Sequence, residues 1–143
     1  MLTIYLISNL FQQSEKQSIP KEGFIPSSRA KTGIVSGGLP DLAFTKELII
    51  DPYEVKEGEK QIFSVWAKSP SGVEKVMFVI NTDKGNEVIE FKLVEGAATE
   101  GRWQGSWIVK DVSTHSSYSG SFQAINKEGK DIRMPISLYF STE

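Results

Sequence analysis

A chain of 143 residues suits one domain with a short extension. Its 39% hydrophobic and 24% charged residues are ordinary for a globular protein and argue against disorder of the whole. It has no cysteine, which excludes disulfides, thiolate zinc sites and cysteine nucleophiles together. The formal charge is −2, with four basic against two acidic residues in the first forty and so −4 over the remainder; a net-acidic domain without a basic stripe argues against nucleic acid as partner.

Residues 1–11, MLTIYLISNLF, contain no charged side chain. On a helix, Leu2, Leu6 and Leu10 share one stripe while Ile4, Ile7 and Phe11 share another, so the segment is apolar all round and expected to be buried in lipid or in protein. A membrane span needs about 20 such residues, and this run is about half that. It also lacks the basic region that opens a secretory signal. Three readings stand: the distal end of a signal peptide or anchor that starts upstream, a short element packed on its own domain, or an insertion into a neighbouring subunit. Each makes Leu2, Ile4, Leu6, Ile7, Leu10 and Phe11 the candidate anchor or assembly residues.

Residues 12–40 differ in kind. Pro20, Pro26, Pro40 and the Gly37-Gly38 pair disfavour helix, and the polar run from Ser27 to Thr32 favours solvent, so an extended linker is expected. Phe24-Ile25 and Gly33-Ile34-Val35 are apolar islets within it, either of which could add to a sheet edge.

From Asp41 onward the dominant signal is a period of two, which sends alternate side chains to opposite faces of a sheet. A first strand is expected over 42–50, closed by Asp51-Pro52, then a polar turn at residues 55–59. A second covers 61–68, with Phe63, Val65 and Ala67 inward, and Ser69-Pro70-Ser71-Gly72 breaks it. Residues 73–82 follow, with Val76, Phe78 and Ile80 inward, and Asp83-Lys84-Gly85-Asn86 makes a hairpin turn. Residues 87–94 return, with Ile89, Phe91 and Leu93 against Glu90 and Lys92. Trp103, Gly105, Trp107 and Val109 share one face of a strand over 101–109, the glycine leaving room for the indoles. Tyr118, Gly120, Phe122 and Ala124 alternate next, then Asn126-Lys127-Glu128-Gly129 turns the chain into Ile132, Met134, Ile136, Leu138 and Phe140. Pro135 interrupts that last ladder, which marks a sheet edge or a bulge. About seven strands at short regular spacing predict an all-β, antiparallel β-sandwich over residues 41–143.

The run Tyr118-x-x-x-Phe122-x-Ala124-x-Asn126-x-x-Gly129 resembles the sixth strand and following turn of bacterial and archaeal immunoglobulin-like surface domains, and of the related fibronectin type III sandwich. Gly101-x-Trp103-x-Gly105-x-Trp107-x-x-x-Asp111 and Pro52-x-x-Val55-x-x-Gly58 are similar to the same families. The resemblance implies a non-catalytic extracytoplasmic module and a tyrosine corner, in which Tyr118 hydrogen-bonds backward along the chain. The motifs concern packing, and the chain departs from antibody-type domains in lacking the cysteine pair and a central tryptophan on the third strand.

Little in the chain suggests chemistry. His115, the only histidine, lies in the serine-rich stretch 113–117 near Asp111; one imidazole builds no multi-histidine zinc site, and serines supplied by composition do not make a triad. Asp83, Asn86 and Glu87 lack the alternating spacing of a calcium loop, and Asp51, Glu54, Glu57 and Glu59 read as a solvated turn. No cofactor or metal is expected, and no enzyme. Trp66 falls opposite the inward set of its strand and is expected to face outward, whereas Trp103 and Trp107 are expected in the core. Aromatic platforms can stack on sugars and are enriched at interfaces, so Trp66 and Trp103 are the candidate ligand or interface residues.

Those readings predict a structural or adhesive module tethered to, or displayed on, a prokaryotic cell surface. The alternatives are a subunit of a pilus-like filament, with the N-terminal segment packing into neighbours, and a carbohydrate-binding module. Expected partners are proteins or further copies of the chain, with membrane contact through residues 1–11.

Overall fold

The computed structural model describes residues 25–112 and 117–140. The expectations for residues 1–11 and for His115 lie outside the described residues. Eleven strands occupy the described residues: β1 (Lys31–Ile34), β2 (Gly37–Leu39), β3 (Leu42–Asp51), β4 (Glu54–Val55), β5 (Lys60–Lys68), β6 (Val73–Thr82), β7 (Gly85–Glu90), β8 (Lys92–Ala97), β9 (Glu100–Ile108), β10 (Ser117–Asn126) and β11 (Asp131–Phe140). They form two packed sheets, an all-β sandwich. One sheet runs β1-β3-β5-β9-β8 with β2 also beside β3; the other runs β4-β11-β10-β6-β7.

The period of two explains the core. Phe63, Val65 and Ala67 on β5 face Val76, Phe78 and Ile80 on β6 and Phe122 and Ala124 on β10, and all are fully buried. Phe63 and Phe78 stack across the gap between the sheets at 4.4 Å between ring centroids. Close approach depends on two glycines. A Cβ at Gly120 would stand 2.5 Å from the Phe78 ring, and one at Gly105 would stand 2.5 Å from the Phe91 ring. Gly105 thus makes room for a phenylalanine, where room for the neighbouring indoles was expected.

The pattern on β3 survives an irregularity. Its register with β5 passes from Thr45↔Trp66 to Leu48↔Val65, inserting two residues rather than one. An even insertion leaves the alternation in phase, so Phe44, Leu48 and Ile50 stay on the inner side.

Three features differ from the sequence expectations. Residues 31–39, within the stretch read mainly as linker, form β1 and β2 and extend the first sheet upstream of Asp41, with Gly33 and Ile34 of the apolar islet adding to the sheet edge at β3. Residues 87–94 are two strands: β7 pairs with β6 in one sheet and β8 with β9 in the other, the chain crossing at Phe91. Where the polar turn at residues 55–59 was expected to begin, Glu54–Val55 pairs in parallel with Tyr139 and Phe140. The Tyr118 hydroxyl donates to Asp83 Oδ1 at 2.7 Å, joining the start of β10 to the β6–β7 turn; residues 113–116, just upstream of it, lie outside the described residues. Among the described residues Pro135 lies at an edge, because β4 covers only the last two residues of β11 and Pro135 has a strand neighbour on the β10 side alone.

Candidate functional site

The two tryptophans singled out from sequence fall in different places. Trp66 is half-buried on the outer face of the first sheet, in a cross-strand row of Thr45, Trp66, Arg102 and Glu95. Lys46, held at φ 59° in the irregular part of β3, places its ammonium 4.0 Å from the Trp66 ring centroid and 3.7 Å from Glu100. The ring is therefore already covered by a cation of the same chain. Arg102 lies almost flat on this face, only 8% exposed. Its guanidinium donates to Glu95 Oε1 at 2.9 Å, Ser64 Oγ at 3.2 Å and Gln104 Oε1 at 2.9 Å. These bonds satisfy a charge that would otherwise be costly to bury.

Trp103 pairs across from Val65 on the inner face and belongs to the core, at 8% exposure. A ring so placed offers no face to a sugar or a partner. Trp107 is also interior, and its Nε1 donates to Gln61 Oε1 at 3.0 Å while Gln61 Nε2 donates to the Pro52 carbonyl at 2.9 Å. This fully buried glutamine ties β9 and β5 to the turn after β3.

Residues 27–30 are clamped to the end of the sandwich. The Ser27 amide and hydroxyl donate to the two oxygens of Asp51, at 2.7 and 2.5 Å, and the Tyr53 amide donates to the Arg29 carbonyl at 3.0 Å. Arg29 grips Glu59 with both terminal nitrogens, at 3.0 and 3.1 Å. That hydrogen bonding, with a second bond from the Lys56 amide, lowers the Glu59 carboxyl to about 2, and the same pairing raises Arg29. Lys130 similarly lowers Asp41 through a side-chain hydrogen bond. A carboxyl with a depressed folded value stabilises the protein above its unfolded value and loses that contribution as pH falls through the folded one. Glu59 thus predicts a loss between about pH 4.5 and about pH 2. Urea midpoints measured against pH are expected to fall less steeply over this window in Arg29→Met than in the parent. Because Arg29 is half-exposed, added salt is expected to shrink the difference.

Beyond this clamp no described strand bridges the flank of the sandwich between β1 and β11. An apolar slot of about 160 Å³ lies there, lined by Gly33, Leu48, Ile50, Tyr53, Ile136 and the stem of Lys31. Gly33 pairs with Leu48, and a Cβ built on it meets nothing within 4 Å. The inner-side residues of β11 that face this flank, Ile132, Met134 and Ile136, are only partly buried against the core. Leu138 and Phe140, farther along the same strand, are buried.

The ladder edge beside the slot is blunted. The Tyr53 hydroxyl donates to the Ser137 carbonyl at 3.0 Å, Pro135 has no N–H to offer, and Asp131 and Arg133 carry opposite charges 3.7 Å apart. Proline, charge and capping are the usual means by which a free edge is kept from pairing with another strand.

Among the described residues no three His, Cys, Asp or Glu side chains are grouped as a metal site would require. No helix among them is long and apolar enough to cross a membrane. The polar side chains detailed above serve structural pairs. No family model matches the chain and no curated protein matches it. Sequence reading missed Arg102, Gln61 and the slot at Gly33. A lone arginine in a strand looks like any solvated charge, and an isolated glycine in a polar stretch looks like linker.

Proposed function

We propose that this chain is a non-catalytic extracytoplasmic module, structural or adhesive, tethered at a prokaryotic surface through residues 1–11. The observation that carries the reading is the pairing of a β-sandwich with an uncharged apolar segment, joined in sequence by residues 12–24. The likeness of residues 118–129 to immunoglobulin-like surface domains supports the same reading by analogy of fold. The blunted β11 edge speaks against filament growth by strand exchange there, and neither Trp66 nor Trp103 supplies an open ring for carbohydrate.

The test is flotation with phospholipid vesicles. The full chain is expected to rise with the vesicles, and a chain beginning at residue 25 is expected to stay behind while keeping a cooperative thermal transition. A full chain that stays in the protein fraction at high lipid would overturn the tether.

A further inference from the structure

We infer that β7 is a docking edge for a second copy of this chain. The two β7 strands pair antiparallel about a two-fold axis at Val88, so that the five-stranded sheets of the two copies join. The inference concerns the sandwich itself and goes beyond the tether through residues 1–11.

Among the described residues, all the free sheet edges but one are short or interrupted. β1, β2 and β4 are four, three and two residues long. β11 carries Pro135, and the Tyr53 hydroxyl occupies its Ser137 carbonyl. β8 opens with Lys92, breaks its register between Leu93 and Glu95, and holds Gly96 at φ 81°. β9 runs past the end of β8 only over Gly105–Ile108. Devices of this kind keep an edge from pairing with another chain. β7 has none of them: its six residues pair with β6 without a break and include no proline and no lysine.

The hairpin with β6 fixes which backbone groups β7 offers. The Phe91 amide donates to the Val76 carbonyl at 2.9 Å, and bonded residues alternate along an antiparallel ladder, so Ile89 and Glu87 also turn to β6. Asn86, Val88 and Glu90 therefore turn their amides outward. The carbonyls of Asn86 and Val88 turn outward too. That of Glu90 leans toward Gly105, where a Cβ would come within 3.0 Å of it. No described strand lies against these groups.

A second β7 fits them in one register. With Val88 opposite Val88, the valines exchange two bonds and each Glu90 amide meets the other copy's Asn86 carbonyl, about four bonds in all. The side chains agree with that register. Asn86 stands opposite Glu90, an amide donor against a carboxylate, and both are exposed. Val88 is 52% exposed and lies beside Val79 of β6, so the valine row of each copy continues into the other. Glu87 falls opposite Ile89 and is drawn back by Lys110 of its own chain, at 3.7 Å. Centring the pair on Glu87 would set Glu87 against Glu87, and like charges directly opposite are unfavourable. Centring it on Ile89 would set Val88 against Glu90 and leave Asn86 without a partner. One six-residue edge covers less than the roughly 1,200 Å² of a stable interface, so the dimer is weak and forms at high concentration.

Because the chain has no cysteine, Val88→Cys in the full chain tests the register directly. In lipid-free solution, oxidation is expected to link two copies at position 88 about tenfold faster than at position 34 in Ile34→Cys, although Ile34 is the more exposed at 87%. Pairing brings the two Cα atoms at position 88 to about 5.5 Å, within disulfide reach. Equal rates would overturn the inference. Two further measurements need no cysteine. The Val88 and Glu90 amides of the parent are expected to exchange with solvent faster on dilution, and sedimentation is expected to show a dimer that Val88→Lys removes while keeping the thermal transition. Amides that stay slow at every dilution would mean that another part of the same chain covers the edge. Association unchanged in Val88→Lys would mean that a different surface makes it. Either result overturns the inference.

Discussion

Phe122→Ala is expected to lower the stability of the sandwich by about 3–5 kcal/mol, the range for deleting a fully buried phenylalanine that leaves a cavity. The ring is 0% exposed and meets four others from both sheets: Phe78 at 4.9 Å between centroids, Phe91 at 6.0 Å, Phe63 at 6.1 Å and Phe44 at 6.4 Å. All four meet it near edge-on, with interplanar angles of 69–81°. Such pairs add to the area term, because the positive ring edge meets a negative face. The site cannot readily collapse into the void. Phe78 is already pressed against the Gly120 backbone and stacked on Phe63, so neither ring is free to move inward. Urea unfolding of Phe122→Ala at neutral pH measures the loss. A change below about 1.5 kcal/mol would mean that the five rings repack as a loose cluster and do not form a fixed lattice.

That ring cluster was legible in the sequence, and the reason is geometric. Phe63, Phe78 and Phe122 each sit in a run with strict alternation, and a period of two assigns the inner face whatever the sheet order turns out to be. In β3, for which no inward set was read, the even insertion keeps the alternation in phase. Other features leave no such trace. At Phe91 the chain passes from one sheet to the other without breaking its alternation, so a single strand was expected where there are two. In β1 and β2 five of the seven residues are other than aliphatic, and all but one of the seven are exposed. Those strands exist because β3 presents an edge, which is a tertiary cause. The outer face of the first sheet was read only in part. Trp66 was expected outward and stands there, but the burial of Arg102 beneath its own hydrogen bonds follows from neighbours on three strands that sequence spacing does not reveal. The slot at Gly33 is a matter of what is missing, and its meaning depends on residues 48 and 136, far away in the chain.

Asn126 carries the second large expected effect, and it too looked ordinary as the first residue of a turn. It is 0% exposed. Its side-chain oxygen accepts from the Glu128 and Lys130 amides, at 3.0 and 2.9 Å, and so shapes the β10–β11 hairpin from within. Its side-chain nitrogen points the other way, donating to Ser69 Oγ at 3.3 Å and to the Asp41 carbonyl at 3.4 Å, which ties that hairpin to the segments flanking β3 and β5. Asn126→Ala removes all four bonds together. The two short ones to backbone amides dominate, and the longer pair adds less, so a destabilisation of about 2–3 kcal/mol is expected from the usual worth of such bonds with partners left part-buried. Asn126→Asp separates the halves. It keeps an acceptor for both amides and deletes both donors, so the turn is expected to persist while the attachment to Ser69 and Asp41 is lost. Hydrogen exchange at the Glu128 and Lys130 amides reads the first half, and the urea midpoint reads the sum. Slow exchange at those amides in Asn126→Asp with fast exchange in Asn126→Ala is the expected pattern; fast exchange in both would show that the hairpin is held by its attachment to the other segments and not by its own cap.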